Sequence, residues 1–209
     1  SEKLLSQKDN IYFLQSVTNI MRSKNCTKTT LFLDCSKKLY TVSPTSESAA
    51  NIAILSYQNE NYAESVDFYQ QAAELETSPT KKAEHYYNAA IVFNILKNKP
   101  KARELALKAA SLKPNWGDPY ILIGQMYADS KETCSSVSLT NSIFWLAVDM
   151  FNKAKAVDPS ISEKANKLIQ TYSKYFPNKE EAFFLNVLDG NPYTVGCWIN
   201  ETTKARFNE

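Results

Sequence analysis

Few residues in this 209-residue chain have the types and spacing that catalysis requires. His85 is the single histidine, which excludes a metal site built from several histidines. Glu180 and Glu181 are adjacent, so their carboxylates favour the first turn of a helix rather than opposite walls of a cleft. The sequence has no glycine-rich phosphate loop and no HExxH or GxSxG pattern. We therefore expect no enzymatic activity, no cofactor and no metal site.

The charge pattern narrows the class of partner. The formal net charge is only +2, and lysine and arginine are spread along the chain without a cluster, which disfavours nucleic-acid binding. No apolar run approaches the roughly 20 residues of a membrane-spanning helix. The sequence therefore predicts a protein or peptide partner, with no nucleic acid and no membrane span.

The elements that would position binding side chains follow an internal repeat. Segments 46–79 and 83–116 each have the pattern of a helix, a tight turn and a second helix that ends in small residues. A third copy spans 117–160 and contains a polar, serine-rich insertion at 129–142, which we interpret as a loop. Each copy leaves an apolar face that only the next copy covers, so the copies are expected to stack.

In this spacing the chain resembles the tetratricopeptide repeat (TPR) family. The middle copy shows the resemblance best, with aromatic, small and proline positions at Tyr86, Ala89, Ala90, Phe93, Ala102, Ala109 and Pro114. The resemblance implies an all-α fold, a right-handed superhelical solenoid of antiparallel helix pairs. The chain is also similar to bacterial TPR proteins of the cell envelope, which implies a location in the periplasm or cell envelope.

Less regular segments flank the repeats within a predicted helical array of residues 1–188. A degenerate helix pair is predicted over 8–44, a closing helix over 160–175 and a short helix over 179–187. A degenerate first pair is expected if repeats continue upstream in a longer protein.

The C-terminal tail, residues 189–209, has an alternating pattern. We expect a β-hairpin, with one strand over 193–199 and the second over 202–207. A hairpin alone is marginal in water, so Tyr193 or Trp198 should pack on the last helices or the edge should pair with another chain.

The four cysteines are Cys26, Cys35, Cys134 and Cys197, and none lies in a CxxC pair. Two interpretations remain open. All four could be buried or partly buried thiols, or an exported protein could carry a disulfide. The candidate pair is Cys134 with Cys197, because one lies in the insertion and the other in the tail.

The TPR resemblance places ligand binding on the first helices of the repeats. The predicted groove residues are Glu47, Asn51, Ile54, Tyr57, Glu84, Tyr87, Asn88, Ile91, Asp118, Ile121 and Gln125. Asn51 and Asn88 occupy the same repeat position, and their carboxamides could hold a peptide backbone. They could equally bond to a neighbouring helix, so both interpretations stay open.

One well-known TPR ligand is not expected. TPR co-chaperones that bind acidic C-terminal tails use lysine, asparagine and basic residues at slots that here hold Ala50, Ile54, Asp118 and Leu122. The acidic residues among the groove positions instead predict a ligand with apolar residues and a lysine or arginine.

Two functions follow from these observations. The first is a non-enzymatic protein–protein interaction scaffold that binds an extended or helical peptide segment in the groove. The alternative is a structural part of a larger envelope assembly or multidomain protein, which docks through the C-terminal tail or the inserted loop.

Overall fold

The computed structural model describes residues 10–135 and 138–208. The start of the predicted pair 8–44, two residues of the insertion and the last residue of the tail lie outside the described residues. The chain divides into two compact units, Ser1–Lys97 (unit 1) and Asn98–Glu209 (unit 2). The boundary falls between the two helices of the second predicted repeat.

Unit 1 is built from helices that pack in chain order. They are α1 (Ile11–Ser23), α2 (Thr30–Val42), α3 (Ser46–Gln58), α4 (Tyr62–Leu75) and α5 (Pro79–Ile95). Each helix contacts the next one along the chain. This is the antiparallel arrangement that short connections between helices favour.

Local sequence determines where these helices begin and end. The Asn10 side chain accepts hydrogen bonds from two backbone N–H groups at the start of α1. Thr45 and Ser48 form a capping box at the start of α3. Glu60 and Lys97 follow α3 and α5 with left-handed φ angles of 60° and 62°. Each of these two residues turns the chain out of its helix.

Small residues allow α3 and α4 to pack closely. Ala49, Ala53, Ala72 and Ala73 are fully buried. The Ser65 hydroxyl on α4 donates a hydrogen bond to the backbone oxygen of Ala53 on α3, over 2.8 Å. The small positions of the repeat therefore serve packing.

Helix α5 begins at Pro79, a full turn before the predicted start of the second repeat at Ala83. Proline suits a first turn because the N–H group that it lacks has no partner within the helix there. The extra residues between the first two repeats therefore lengthen a helix.

Unit 2 contains the remaining helices and a small sheet. Its helices are α6 (Lys99–Leu112), α7 (Asp118–Ala128), α8 (Ile143–Val157), α9 (Ser162–Ser173) and α10 (Lys179–Phe183). Single 3-10 turns at Thr140–Ser142 and Pro159–Ile161 precede α8 and α9. Helix α10 is shorter than the predicted 179–187.

Gly124 permits the close contact between α7 and α8. A Cβ atom built on Gly124 would lie 2.5 Å from Cε1 of Phe151 and 2.9 Å from the backbone oxygen of Ala147. Only glycine fits this position without displacing one of the helices.

The described residues of the insertion, 129–135 and 138–142, pack into unit 2. Cys134 and Leu139 are fully buried. The Lys99 ammonium donates to the backbone oxygen of Asp129 over 2.9 Å and to the Ser130 hydroxyl over 2.8 Å. The segment is irregular, as predicted, and it is held at several points.

The tail forms the predicted hairpin. Strands β1 (Pro192–Val195) and β2 (Glu201–Lys204) are antiparallel, with Tyr193 opposite Thr203. The prediction that β1 would continue to residue 199 is wrong. Residues 196–200 form the connection instead, and two of them have left-handed φ angles.

One face of the hairpin is buried against α8. The ring of Tyr193 lies edge-on to Trp145, with ring centroids 5.7 Å apart. The Trp145 indole N–H donates to the backbone oxygen of Arg206, and the Arg206 guanidinium donates to the backbone oxygen of Trp145 over 2.7 Å. A second guanidinium nitrogen pairs with Asp149 over 2.8 Å. The tail is therefore an integral part of unit 2.

Candidate peptide-binding surface

Helices α3 and α5 carry eight of the eleven predicted groove residues. The structure leaves all eight at least partly accessible. Glu47, Ile54, Tyr57 and Glu84 are exposed, and Asn51, Tyr87, Asn88 and Ile91 are half-buried. The two helices meet where the Ser46 hydroxyl lies 3.1 Å from Nε2 of His85. These residues define the α3/α5 surface.

The two asparagines of this surface are available to a ligand. Within residues 10–135 and 138–208, neither the Asn51 nor the Asn88 carboxamide is hydrogen-bonded to another residue. The alternative interpretation, in which they bond to a neighbouring helix, is therefore not what the structure shows. Each carboxamide can both donate to and accept from a peptide backbone.

A pocket of about 150 Å³ opens on the same side of α3 as Asn51. It is lined by Arg22, Thr27, Phe32, Asn51, Ile54, Leu55 and Gln58. Phe32 and Leu55 are almost completely buried and form an apolar floor, whereas Ile54 is 42% exposed. We call this feature the α1–α3 pocket. Sequence reasoning found Asn51 and Ile54 but missed the residues from α1 and α2, because those helices do not follow the repeat.

The three predicted groove residues of unit 2 differ in accessibility. Ile121 is only 2% exposed, so its prediction as a ligand-facing residue is wrong. Eight of the eleven residues of α7 are buried, so most of this helix, Ile121 included, faces neighbouring elements. Gln125 is exposed and lines an open cavity of about 520 Å³ with residues of α9.

Asp118 does not contribute a free negative charge. Its carboxylate accepts from the indole N–H of Trp116 over 3.0 Å and forms an ion pair with Lys164, also over 3.0 Å. The predicted acidic edge therefore does not extend to this residue.

His85 has the neighbours of a structural side chain. Its Nε2 atom lies 3.1 Å from the Ser46 hydroxyl and 3.9 Å from Oε2 of Glu76. A serine–histidine–acid relay needs the hydroxyl and the carboxylate on different ring nitrogens, and here both lie at Nε2. Burial lowers the pKa of His85, while the Glu76 and Glu84 carboxylates oppose this shift.

A second set of polar contacts joins the tail to α6 and α7. The Arg103 guanidinium donates to the backbone oxygen of Ile199 over 2.6 Å and pairs with Glu201 over 3.1 Å. The Tyr127 hydroxyl donates to the same Glu201 carboxylate over 2.8 Å. Burial is the main reason that the pKa of Tyr127 is raised.

Nearby, a disulfide joins Cys134 of the insertion to Cys197 of the tail, with Cα atoms 5.6 Å apart. This is the pair that the sequence analysis singled out. Cys35 is a buried free thiol, and Cys26 is an exposed one. The alternative of four buried or partly buried thiols is wrong, because two of the cysteines are bonded and Cys26 is exposed.

In the part of the chain that the structure describes, no group of three or more histidine, cysteine, aspartate or glutamate side chains could hold a metal ion. No helix in those residues is long and apolar enough to span a bilayer.

Solved structures of MamA, a TPR protein, have the same fold as this chain. One crystal structure has a TM-score of 0.58 and 19% identity, and the match covers 78% of this chain and 86% of that one. A second has a TM-score of 0.56 and 20% identity, with coverage of 77% and 79%. MamA from residue 41 to the end, from Desulfovibrio magneticus RS-1, has a TM-score of 0.53 and 12% identity, with coverage of 86% and 97%.

No protein-family model and no curated protein matches the chain. At these low sequence identities, the similarity to the MamA structures concerns the fold alone. The protein has the all-α TPR fold that its sequence predicted, with a short hairpin at the C-terminus.

Proposed function

We propose that this protein is a protein–protein interaction scaffold that holds an extended or helical segment of a partner on the α3/α5 surface. A TPR fold is typical of such scaffolds, and a fold alone does not define a ligand. The proposal therefore rests on one observation. Asn51 and Asn88 present unpaired carboxamides at equivalent positions of two helices, and α3 also exposes the side chains of Ile54 and Tyr57.

The physical logic is that of backbone recognition. An extended peptide carries unpaired N–H and C=O groups along its length, and an amide side chain satisfies either kind. Neighbouring apolar side chains add contact area, and aromatic residues such as Tyr57 supply it at a low cost in conformational entropy.

The test is a selection of random 12-residue peptides on the immobilised full chain. Enriched peptides should bind the Asn51→Ala/Asn88→Ala variant at least about tenfold more weakly, the loss expected for a few hydrogen bonds. The variant should retain the wild-type melting temperature, because neither carboxamide has a protein partner to lose. An Asn152→Ala/Asn166→Ala variant, which makes the same two amide truncations on α8 and α9, outside the predicted groove positions, is the matched control and should bind normally.

The alternative is docking of a larger assembly through the tail or the insertion. One observation favours it: the outer face of the hairpin presents Thr194, Thr202 and Lys204 to solvent. If native partners bind the Asn51→Ala/Asn88→Ala variant as well as the wild type, this alternative replaces the first proposal.

We also propose that the protein works in an oxidising compartment such as the periplasm or cell envelope. The disulfide between Cys134 and Cys197 supports this location, because disulfides persist in oxidising compartments and are rare in the cytosol. Fractionation of the native host would test it. Recovery of the protein in the cytosolic fraction with all thiols reduced would contradict it.

A further inference from the structure

The α1–α3 pocket has the size of one side chain. Its volume is about 150 Å³, and an engineered apolar cavity of about this volume in another protein holds a benzene ring. Phe32 and Leu55 form its floor and are only 3% and 4% exposed. An apolar floor beneath a small opening suits a single large apolar side chain, such as leucine, methionine or phenylalanine.

The rim of the pocket is polar and basic. Arg22, at the end of α1, lines the pocket together with the amides of Asn51 and Gln58. Lys24 and Lys28 are exposed in the turn that follows α1. The lining residues include no carboxylate. A guanidinium is planar and can bind a carboxylate through two parallel hydrogen bonds, which makes it selective for that group.

The apolar floor and the basic rim would contact the same short stretch of a ligand. A side chain that enters the pocket places the neighbouring ligand residues at the rim, because successive Cα atoms are only about 3.8 Å apart. A ligand residue one or two positions from the buried one therefore lies within reach of the rim that carries Arg22.

We propose that the α1–α3 pocket binds one large apolar side chain of the partner segment, with an aspartate or glutamate within two residues of it bound to Arg22. This inference rests on the proposed function, since it identifies the ligand chemistry of the same surface. It differs from the basic ligand residue that the repeat positions alone predicted, because the cations come from the α1–α2 turn.

The experiment reverses the sign of the charge first on the protein and then on the ligand. Peptides enriched from the random 12-residue library on the full chain should share a large apolar residue with aspartate or glutamate within two positions. The Arg22→Glu substitution should lower the affinity for these peptides by about tenfold or more, because a charge-assisted hydrogen bond becomes a contact between like charges. A synthetic peptide with lysine in place of the acidic residue should bind the Arg22→Glu variant. The same peptide should bind the wild-type protein poorly.

Two variants serve as controls. Lys131→Glu makes the same change of net charge on an exposed residue of unit 2 and should bind within about twofold of wild type. Arg22→Gln keeps a long polar side chain at the end of α1 and should give an intermediate loss. Far-UV circular dichroism should be unchanged in all variants, because Arg22 is exposed.

A second measurement places the peptide at the pocket. Cys26 is an exposed free thiol next to Thr27, which lines the pocket, so it can carry an environment-sensitive fluorophore. Enriched peptides should change its emission, and the response should be lost in Ile54→Asp.

The outcomes separate the two proposals. Peptides that lack the acidic residue, or that bind Arg22→Glu normally yet fail on the Asn51→Ala/Asn88→Ala variant, would overturn the pocket assignment and leave the peptide scaffold standing. A library that yields no peptide sensitive to either variant would overturn both.

Discussion

Residues of α3 that are close in sequence differ sharply in their exposure to solvent. Ile52 is fully buried, whereas Ile54 is 42% exposed. Two positions along a helix turn a side chain by roughly 200°, so neighbours of identical chemistry point to opposite sides. Residues on the exposed stripe should therefore govern binding with little effect on stability.

The two isoleucines provide a matched test of this division. Ile52→Ala should lower the free energy of unfolding by about 2–5 kcal/mol, because it removes buried methyl groups and leaves a cavity. Ile54→Ala should lower it by less than about 1 kcal/mol, because that side chain already contacts water. Urea denaturation of both variants measures the difference. Equal losses would show that Ile54 is part of the core.

His85 should make the stability of the fold depend on pH. Its folded-state pKa is lowered mainly by burial, so on acidification the unfolded chain takes up the proton first. Stability should therefore be full above the unfolded value of about 6.5 and should fall as the pH drops from there towards the folded pKa. Urea denaturation between pH 7.5 and 5 should show this fall in the wild type.

A variant isolates the effect of this residue. His85→Gln should show no fall in that window, since Glu64 and Glu76 have lowered pKa values and titrate at more acidic pH. Because the chain has one histidine, NMR titration of its ring proton gives the folded pKa directly. A pKa above the unfolded value would contradict the assigned cause.

At the scale of elements, the insertion and the hairpin stabilise each other. A two-stranded hairpin is marginal alone, and here it has the disulfide, the aromatic contact with Trp145 and the Arg206 hydrogen bonds to α8. The insertion in turn gains a covalent link to the tail. Each segment therefore holds the other in place within unit 2.

The cysteines give a direct test of this arrangement. Under native conditions without reductant, alkylation should label Cys26 alone, because Cys35 is buried and its pKa is raised chiefly by that burial. Denaturation should expose a second thiol, and reduction should expose all four. Mass spectrometry counts the labels, and three or more labels before reduction would exclude the Cys134–Cys197 bond.

Loss of the disulfide should also lower the free energy of unfolding. A Cys134→Ser/Cys197→Ser variant should be less stable by about 2–4 kcal/mol, since the bond closes a loop between residues 63 apart. Tryptophan fluorescence suits this experiment because Trp116, Trp145 and Trp198 all lie in unit 2. A Cys26→Ser variant, with an exposed thiol removed, should match the wild type.

The sequence predicted most of the elements, because helical periodicity and turn residues act locally. It predicted the packed positions Tyr86, Ala89 and Ala90 of α5, which repeat spacing places on one side of the helix and which are buried. It failed at Ile121, because most residues of α7 are apolar and buried, and which of them face solvent depends on neighbouring elements. It also missed Arg22, whose place in the pocket depends on how α1 packs on α2 and α2 on α3, outside the repeat.

At the scale of the whole molecule, the proposed binding surface and the disulfide lie in different units. The α3/α5 surface and the α1–α3 pocket belong to unit 1, whereas Cys134 and Cys197 belong to unit 2. The two proposed functions are divided in the same way, because the alternative uses the tail and the insertion. Chemistry that acts on one unit alone can therefore decide between them.

Reduction of the disulfide makes this distinction. If partners bind on unit 1, the dissociation constant of an enriched peptide should change by less than about twofold between oxidised and reduced wild-type protein, a shift of under about 0.5 kcal/mol. Cys26 and Cys35 are already free thiols, so reductant leaves them unchanged. The measurement is fluorescence anisotropy with labelled peptide, at a temperature where circular dichroism shows that reduced protein stays folded. Native partners that are lost on reduction, yet bind the Asn51→Ala/Asn88→Ala variant normally, would instead place the interaction on the tail and insertion.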